Sequence, residues 1–500
     1  MHPVFNDITH ALEHYKDRTA IIDKNGRSYS YAELKSYITG TRAELKAHGV
    51  RKGSKVLVFV PMSMELYAIL EAIFSLGATA IFLDPWMKGK KMGQVIKHVK
   101  PDLFVVTKRI AKLAWLLPAT WRLKKWSFTT LNGNADEWII EDVSDDDNAL
   151  ITFTSGTSGA PKGANRTFAF LLAQSESLKD HLQGNPEEPS VDFTNFPIVG
   201  LADFALGNTV VVPGINLMKI HQTNPEALID CIHETAVTRI IVSPSLLSKV
   251  LDGSKSKGNG SIKHIVTGGA PISKQLITDC LSAFPDIELE GIYGSTEAEP
   301  ICVSGFQSIF DGMENPRAGV YVGKPVKETQ VKIITPLDGP MDTNYFHKHA
   351  LSSPQIGEVL VTGDHVNKQY YKNPAAFKKA KVVDPDGIIW HRTGDIGYFH
   401  NEQLFLVGRD HRIMNRHEKR YYPYPVEQAL MSRFGIDDVG YVQSKDGRFV
   451  VHIGVSEIDP SAVKDFMKTI ESPVDDVKIH KKPLPRDARH RSKLQIEELI

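Results

Sequence analysis

Two hydrophobic periods alternate along residues 30–107, and few folds accept that alternation. "SYAELKSYITGTRAELKAHG" repeats apolar positions every three to four residues and stops at Gly49, which predicts a helix with a glycine end. "KVLVFVP" is a short β-branched run, a buried strand. "SMELYAILEAIFSLGA" is helical again, "TAIFLD" a strand, "KKMGQVIKHVKP" a helix and "DLFVVT" a strand. Such alternation predicts a largely parallel sheet covered by helices. It resumes at "TRIIVSPSLLSKVL" and "SIKHIVTGGAPISKQLITDCLSAFP", with "DGSKSKGNGS" (252–261) as an exposed loop.

The character changes near residue 320. "VKIIT", "GEVLVTG", "GIIWHRTGD" and "QLFLVGRD" are short strands separated by turns, the material of a small antiparallel sheet or barrel. After Arg409 a short α+β segment follows, with a helix in "PVEQALMSRF" and a strand in "RFVVHIGV". The fold class is therefore α/β. Helix-covered sheets and a β-barrel-like subdomain (about 320–408) make a large N-terminal domain, 1–408, and a small α+β domain, 409–500, follows. A chain of 500 residues has room for more than one domain.

Lys+Arg and Asp+Glu balance at 59 each, so no global charge points to nucleic acid or an anionic membrane. Cys231, Cys280 and Cys302 are far apart, which excludes a zinc knuckle and a disulfide framework and fits a reducing cytoplasm. The N-terminus lacks the basic-then-apolar pattern of a signal peptide, and no apolar run approaches the roughly 18–20 residues of a membrane span. A cytoplasmic protein is expected. "KRIAKLAWLLPATWRLKKW" (108–126) mixes Trp115, Trp121 and Trp126 with basic residues. It reads as a surface helix interrupted by Pro118, because its charges do not segregate to one face. The alternative is a weak peripheral membrane contact or an acyl-chain entry element.

"FTSGTSGAPKG" (153–163) follows the apolar run "ALITF" and has the composition of a phosphate loop. It is not a Walker A loop. Counted from Gly156, the second glycine position holds Pro161 and the Mg²⁺-binding hydroxyl position holds Gly163, although Lys162 is in place. Thr154, Ser155, Thr157 and Ser158 still offer hydroxyls, and Gly156 and Gly159 let the loop fold over phosphates.

This T-S-G-T-S-G-x-P-K-G stretch resembles the signature loop of the acyl-adenylate-forming superfamily, which includes acyl-CoA synthetases, peptide-synthetase adenylation domains and luciferases. Further segments resemble the family in its own order, over nearly the whole chain. The resemblance implies ATP and Mg²⁺ as cofactors. In "YGSTEAEP" it implies that Tyr293, followed by Gly294, stacks on adenine, that Thr296 holds the α-phosphate and that Glu297 binds Mg²⁺. "TGGAP" gives Gly269, Ala270 and Pro271 as the turn framing the adenine and acyl pocket. "RTGDIG" gives Asp395 as the acceptor for both ribose hydroxyls, and "GRD" gives Arg409 as a second ribose contact and Asp410 as the hinge between domains. "RHRSKLQ" gives Lys493 as the lysine that enters the active site. The implied reaction joins a carboxylic acid, apolar and of fatty type, to AMP with loss of pyrophosphate. Thr296, Glu297 and Lys493 are its catalytic residues.

Three departures bear on the second step. "DFTNFPIVGLADFALGNTVVVP" lacks the acyl-site histidine of many acyl-CoA synthetases and looks like olefin β-lactone synthetases. "GRDHRIMNRHEK" is one residue short before its isoleucine and puts His417 where a glycine lines the pantetheine tunnel. The terminal lysine follows "RHRS", as in β-lactone synthetases and some long-chain acyl ligases. Acyl transfer to CoA is the first reading. Closure of a β-hydroxy acid to a β-lactone, or loading of an acyl carrier protein, are the alternatives. A non-catalytic adenylate binder is disfavoured by the presence of the loop, Glu297 and Lys493 together.

Overall fold

The computed structural model describes the 500-residue chain except residues 84–86, 88, 113–117, 129–132, 134–136, 154–161, 183–186, 217–219, 221, 316–317, 487–493 and 500. It comprises two compact units. The first holds Met1–Thr267, Thr296–Pro300 and Asp364–Phe377, and the second holds Gly268–Ser295, Ile301–Gly363 and Lys378–Ile500.

The first unit bears out the alternation. Lys55–Phe59, Thr79–Leu83, Leu103–Thr107, Lys125–Phe128 and Asn148–Phe153 form a parallel sheet in the order Lys125–Phe128, Leu103–Thr107, Lys55–Phe59, Thr79–Leu83, Asn148–Phe153. A sixth strand, Gly163–Thr167, returns antiparallel beside Asn148–Phe153. Thr209–Val211, Val191–Thr194, Arg239–Val242 and His264–Gly268 also pair in parallel.

The helix Met64–Ser75 shows how this unit is assembled. Every residue in it except Glu65 is buried, and Ser63 caps its first turn by accepting from the Leu66 N–H. A helix this largely apolar and buried on all sides belongs inside a core. Its Tyr67 meets Phe204 edge to face, the ring centroids being 4.8 Å apart. Tyr31 of the helix Tyr31–Ala47 donates its hydroxyl to the Asn208 carbonyl at 2.7 Å, tying distant segments to that core.

Two sequence expectations change here. The predicted loop 252–261 is helical up to Lys257, within Pro244–Lys257, and stops at Gly258 with φ 77°. Gly253 is the reason: a Cβ there would collide with the Pro225 carbonyl, so this glycine permits close helix packing rather than a turn. The stretch 108–126 is not one interrupted helix. Its described residues form a short helix Lys108–Ala111, a 3-10 turn Pro118–Thr120 and a strand Lys125–Phe128, with Trp126 buried in the strand. Residues 113–117, including Trp115, lie outside the described residues.

The second unit contains the predicted antiparallel strands. Val320–Pro325, Gln403–Arg409, Ile389–His400, Gly357–Thr362 and Gln330–Ile334 pair in that order. Trp390 packs on Phe346 at their core, 5.5 Å between centroids, and donates its indole N–H to Asp384. Beyond Arg409 come the hairpin Met414–Arg416/Lys419–Tyr421, the helix Pro423–Phe434 and a three-stranded sheet, Val439–Gln443, Phe449–Ile453 and Asp476–Ile479. The helix begins two residues before the predicted "PVEQ" start, with Pro423 in its first turn. Among the described residues no helix is long and apolar enough to cross a membrane.

Candidate active site

In the first unit the strand Gly163–Thr167 has to pass close to its partner. A Cβ on Gly163 would stand 2.6 Å from the Phe153 ring and 2.8 Å from Ile151. The glycine that misfits a Walker A loop is thus demanded by strand packing. Its carbonyl accepts from the Tyr371 N–H at 2.9 Å, which brings residues 366–371 alongside. There Ala164 bridges Tyr370, and Ala298 bridges Val366.

This stitching holds Thr296 and Glu297. The Arg166 guanidinium, buried, donates to the Thr296 carbonyl at 2.9 Å and to Thr152 Oγ1 at 2.8 Å. Asn367 donates its backbone N–H to the Glu297 carbonyl at 2.7 Å and its side-chain amide to the Asn165 carbonyl at 2.6 Å. Tyr370 donates its hydroxyl to Glu297 Oε1 at 3.0 Å. Burial, and then the Glu297 charge, push the Tyr370 phenol up, so it remains a donor. Thr296 and Glu297 are themselves half-buried. Among the described residues no cluster of three or more metal-binding side chains includes Glu297. One carboxylate, fixed from the side by a phenol, suits Mg²⁺, which takes few carboxylates and completes its shell with phosphate oxygens and water.

The second unit holds the other group. Asp395, 8% exposed, lies in the strand Ile389–His400 opposite Arg409. Tyr293 donates its hydroxyl to Asp395 Oδ2 at 2.7 Å, and Arg409 Nη1 donates to Oδ1 at 2.8 Å. Thr393 Oγ1 accepts from the Asp395 N–H at 3.0 Å, which fixes the strand's turn at Gly394, φ 71°. Burial, and then the Asp395 charge, hold the Tyr293 phenol well above its ordinary range. Burial works against the Arg409 cation, but the Asp395 carboxylate together with Tyr424 and Tyr293 more than offsets it, so its pKa is raised. The Gly269–Pro271 turn precedes the helix Lys274–Ala283 and is held near the Tyr293 strand, because Gly268 leaves no room for a Cβ against the Ile292 carbonyl, 2.8 Å away.

Asp410 opens a short 3-10 turn, and its Oδ1 accepts from the His411 N–H at 2.6 Å. Two residues on, Arg412 pairs with the buried Glu427, whose Oε1 also accepts from the Tyr441 N–H at 2.8 Å. The chain is therefore anchored in the C-terminal α+β core directly after Asp410. Lys162 is half-buried. Thr154, Ser155, Gly156, Thr157, Ser158, Gly159 and Lys493 lie outside the described residues.

The sequence reading missed Arg166, Asn367 and Tyr370. Tyr370 and Asn367 sit in "GDHVNKQYYKNP", just beyond the strand Gly357–Thr362, where no motif marks them. Nothing in its spacing marks which of Tyr370 and Tyr371 turns toward Glu297.

Residues 8–371 match the model of the AMP-binding enzyme family. An olefin beta-lactone synthetase from Stenotrophomonas maltophilia is 26% identical over 94% of this chain and 90% of its own. A probable CoA ligase from Humulus lupulus is 26% identical over 91% of this chain and 85% of its own. The O-succinylbenzoate coenzyme A synthetase of Bacillus subtilis, solved with ATP and magnesium ion, shares the fold with a TM-score of 0.79 at 21% identity, covering 99% of each chain. With its model matched over most of the sequence, the chain belongs to the AMP-binding enzyme family of ligase-type, adenylating enzymes.

Proposed function

We propose that this protein uses ATP and Mg²⁺ to adenylate an apolar carboxylic acid of fatty type and then passes the acyl group to coenzyme A. The observation that carries the reading is Asp395, held on Oδ2 by Tyr293 and on Oδ1 by Arg409. Each carboxylate oxygen has two lone pairs, so a carboxylate fixed in this way can still accept from both hydroxyls of a ribose.

In the first step a carboxylate oxygen of the acid attacks the α-phosphorus of ATP. The new P–O bond forms as the bond to the β-phosphate oxygen breaks, and pyrophosphate leaves. Catalysis of such a step is mostly positioning and electrostatics. Mg²⁺ supplies charge neutralisation at the departing pyrophosphate. Glu297 holds that cation, oriented by Tyr370, and the Thr296 hydroxyl donates to the α-phosphate. The hydroxyls of residues 154–158 hold the pyrophosphate end, Lys162 and the Gly294 segment complete the nucleotide site, and the Tyr293 ring and Gly269–Pro271 flank the adenine. Lys493 stabilises charge between the carboxylate and the α-phosphate, a task suited to a compact ammonium. In the second step the thiolate of CoA attacks the acyl carbonyl and AMP leaves. A small domain, 409–500, turning about Asp410 against a large one, 1–408, exchanges Lys493 for the thiol site.

A specific observation favours a second reading for the acceptor. His417 and Glu418, at φ 48° and 62°, form the two-residue turn between Met414–Arg416 and Lys419–Tyr421. A turn with both φ positive prefers glycine. Side chains therefore occupy the place of the bare loop of thioester-forming enzymes, which supports attack by an internal β-hydroxyl and closure to a β-lactone. The similarity to the Stenotrophomonas enzyme points the same way. Loading of an acyl carrier protein is the third possibility for this step.

The test is product analysis by mass spectrometry from ATP, Mg²⁺ and a mixture of fatty and β-hydroxy fatty acids, with and without CoA. An acyl-CoA product supports the first reading and a β-lactone formed without CoA the second. Absence of ATP–pyrophosphate exchange with every acid sinks both.

A further inference from the structure

The chain is neutral overall, yet its charge is unevenly placed. Between Pro85 and Ala135 there are eleven lysines and arginines and a single acidic residue, Asp102. That one acid is already paired with Lys55, at 3.3 Å.

The fold gathers the described part of this segment onto one layer of the first unit. Val95, Ile96 and Val99 of the helix Gly89–Val99 share a core with Phe104 and Val106 of the sheet. Ile110, Ala111, Ala119 and Leu123 pack against the same core, so the helix Lys108–Ala111 and the turn Pro118–Thr120 cover the same sheet face. The turn also packs on the helix Gly89–Val99. The layer reaches the edge strand of that sheet, Lys125–Phe128. With the apolar sides inward, Lys90, Lys97, Lys108, Arg109, Lys112 and Arg122 are all exposed. Among the described residues none of these six forms a salt bridge. Beside Arg122, Trp121 is 61% exposed.

Like charges crowded without counter-charges repel, and an apposed anionic surface turns that repulsion into attraction. The occupant of such a surface is decided by the indole. Exposed tryptophan beside lysine and arginine suits the headgroup level of a bilayer, where an amphipathic ring has both an apolar and a wet side. We propose that this layer docks the enzyme on an anionic phospholipid bilayer, through the six cations and Trp121. Basicity is spread over three elements rather than one helix face, which is why the sequence of 108–126 shows no amphipathic pattern. The docking is independent of the adenylation chemistry.

The test is co-sedimentation of the full chain with phosphatidylcholine vesicles, with and without phosphatidylglycerol. The wild type is expected to bind only the phosphatidylglycerol vesicles and to be released as salt shortens the screening length. Lys90→Gln, Arg109→Gln and Arg122→Gln each remove one cation from a different part of the layer. Each is expected to weaken binding about fivefold, and the triple variant about a hundredfold. Pyrophosphate exchange with a soluble short acid and the melting temperature should not change. If the triple variant does not fold, the single variants still decide. Trp121→Ala is expected to weaken vesicle binding at unchanged charge. Equal binding to neutral vesicles, no binding at low salt, unaltered binding by the variants, or tighter binding to duplex DNA than to the anionic vesicles would each overturn the proposal.

Discussion

The Tyr370 hydroxyl donates to Glu297 Oε1 at 3.0 Å, although the residues are 73 positions apart. The contact exists because residues 366–371 run beside Gly163–Arg166 on one side and the Glu297 backbone on the other. On the proposed reaction, Tyr370 orients the metal-binding carboxylate without touching substrate.

Tyr370→Phe keeps the ring and removes only the donor. A hydrogen bond to a charged group contributes about 1.5–3 kcal/mol. The variant is expected to need about tenfold more Mg²⁺ for half-maximal pyrophosphate exchange, at the lower end of that range. Weaker Mn²⁺ binding with ATP present, measured by electron paramagnetic resonance, reports the same loss without turnover. Glu297→Gln should lose metal binding altogether. Unchanged metal dependence in Tyr370→Phe would show that the phenol only packs.

Asp395→Asn tests the second constellation. The change leaves the Arg409 cation facing a neutral amide in a largely buried place. Removing one partner of a fully buried pair costs about 3–5 kcal/mol, and a discount for the one-third exposure of the Arg409 side chain brings the expected loss to about 1–3 kcal/mol. Urea denaturation measures it. ATP affinity, measured by calorimetry, should fall more than in Tyr293→Phe, which keeps the carboxylate. Equal ATP affinity in Asp395→Asn and wild type would remove Asp395 from the ribose site.

The C-terminal α+β core carries a built-in pH dependence. His452, 2% exposed, shares a hydrogen bond with His480, Nδ1 to Nε2 at 2.9 Å. Burial first, then the neighbouring His480 and Lys478, lower its pKa from 6.5 to about 4. Above pH 6.5 the side chain is neutral folded or unfolded, and it contributes no slope. Between about 6.5 and 4 the unfolded chain binds a proton that the folded chain refuses, so stability falls as pH falls. The full loss is about 3 kcal/mol. Urea midpoints of the wild type should therefore drop between pH 7.5 and 5, and His452→Phe should flatten that slope. An equal slope in the variant would place the titration elsewhere.

The sequence yields the fold where periodicity is local and fails where a residue answers to a distant neighbour. Met64–Ser75 and the strands around it are legible because their apolar pattern records burial directly. Gly253 is not, because the same residue that ends a loop also admits the Pro225 carbonyl. Asp395, Arg409 and Glu297 are picked out by the family's segments, and the structure gives each of them a side-chain partner. Tyr370 and Arg166 are not, since their roles come from chain crossings that no spacing encodes. Gly163 is an intermediate case. It breaks the Walker A pattern in the sequence, and only the Phe153 ring beneath it explains why.

Lys493 separates the two proposed half-reactions. It lies far in sequence from Glu297, in the "RHRSK" segment, and in the proposed mechanism its task is confined to the attack of the carboxylate on ATP. Lys493→Ala should lower pyrophosphate exchange by at least about a hundredfold, the scale of losing one electrostatic contact to developing charge. It should leave ATP affinity within about threefold, because the adenine, ribose and pyrophosphate ends are bound by other residues. A synthetic acyl-adenylate supplied to the variant should still be consumed at the wild-type rate, since that step does not use the lysine. Arginine at this position should not restore activity, because a planar fork cannot replace a compact ammonium. Wild-type exchange in the alanine variant would remove Lys493 from the chemistry. Equal loss of both half-reactions would assign it to holding the fold or the adenylate instead.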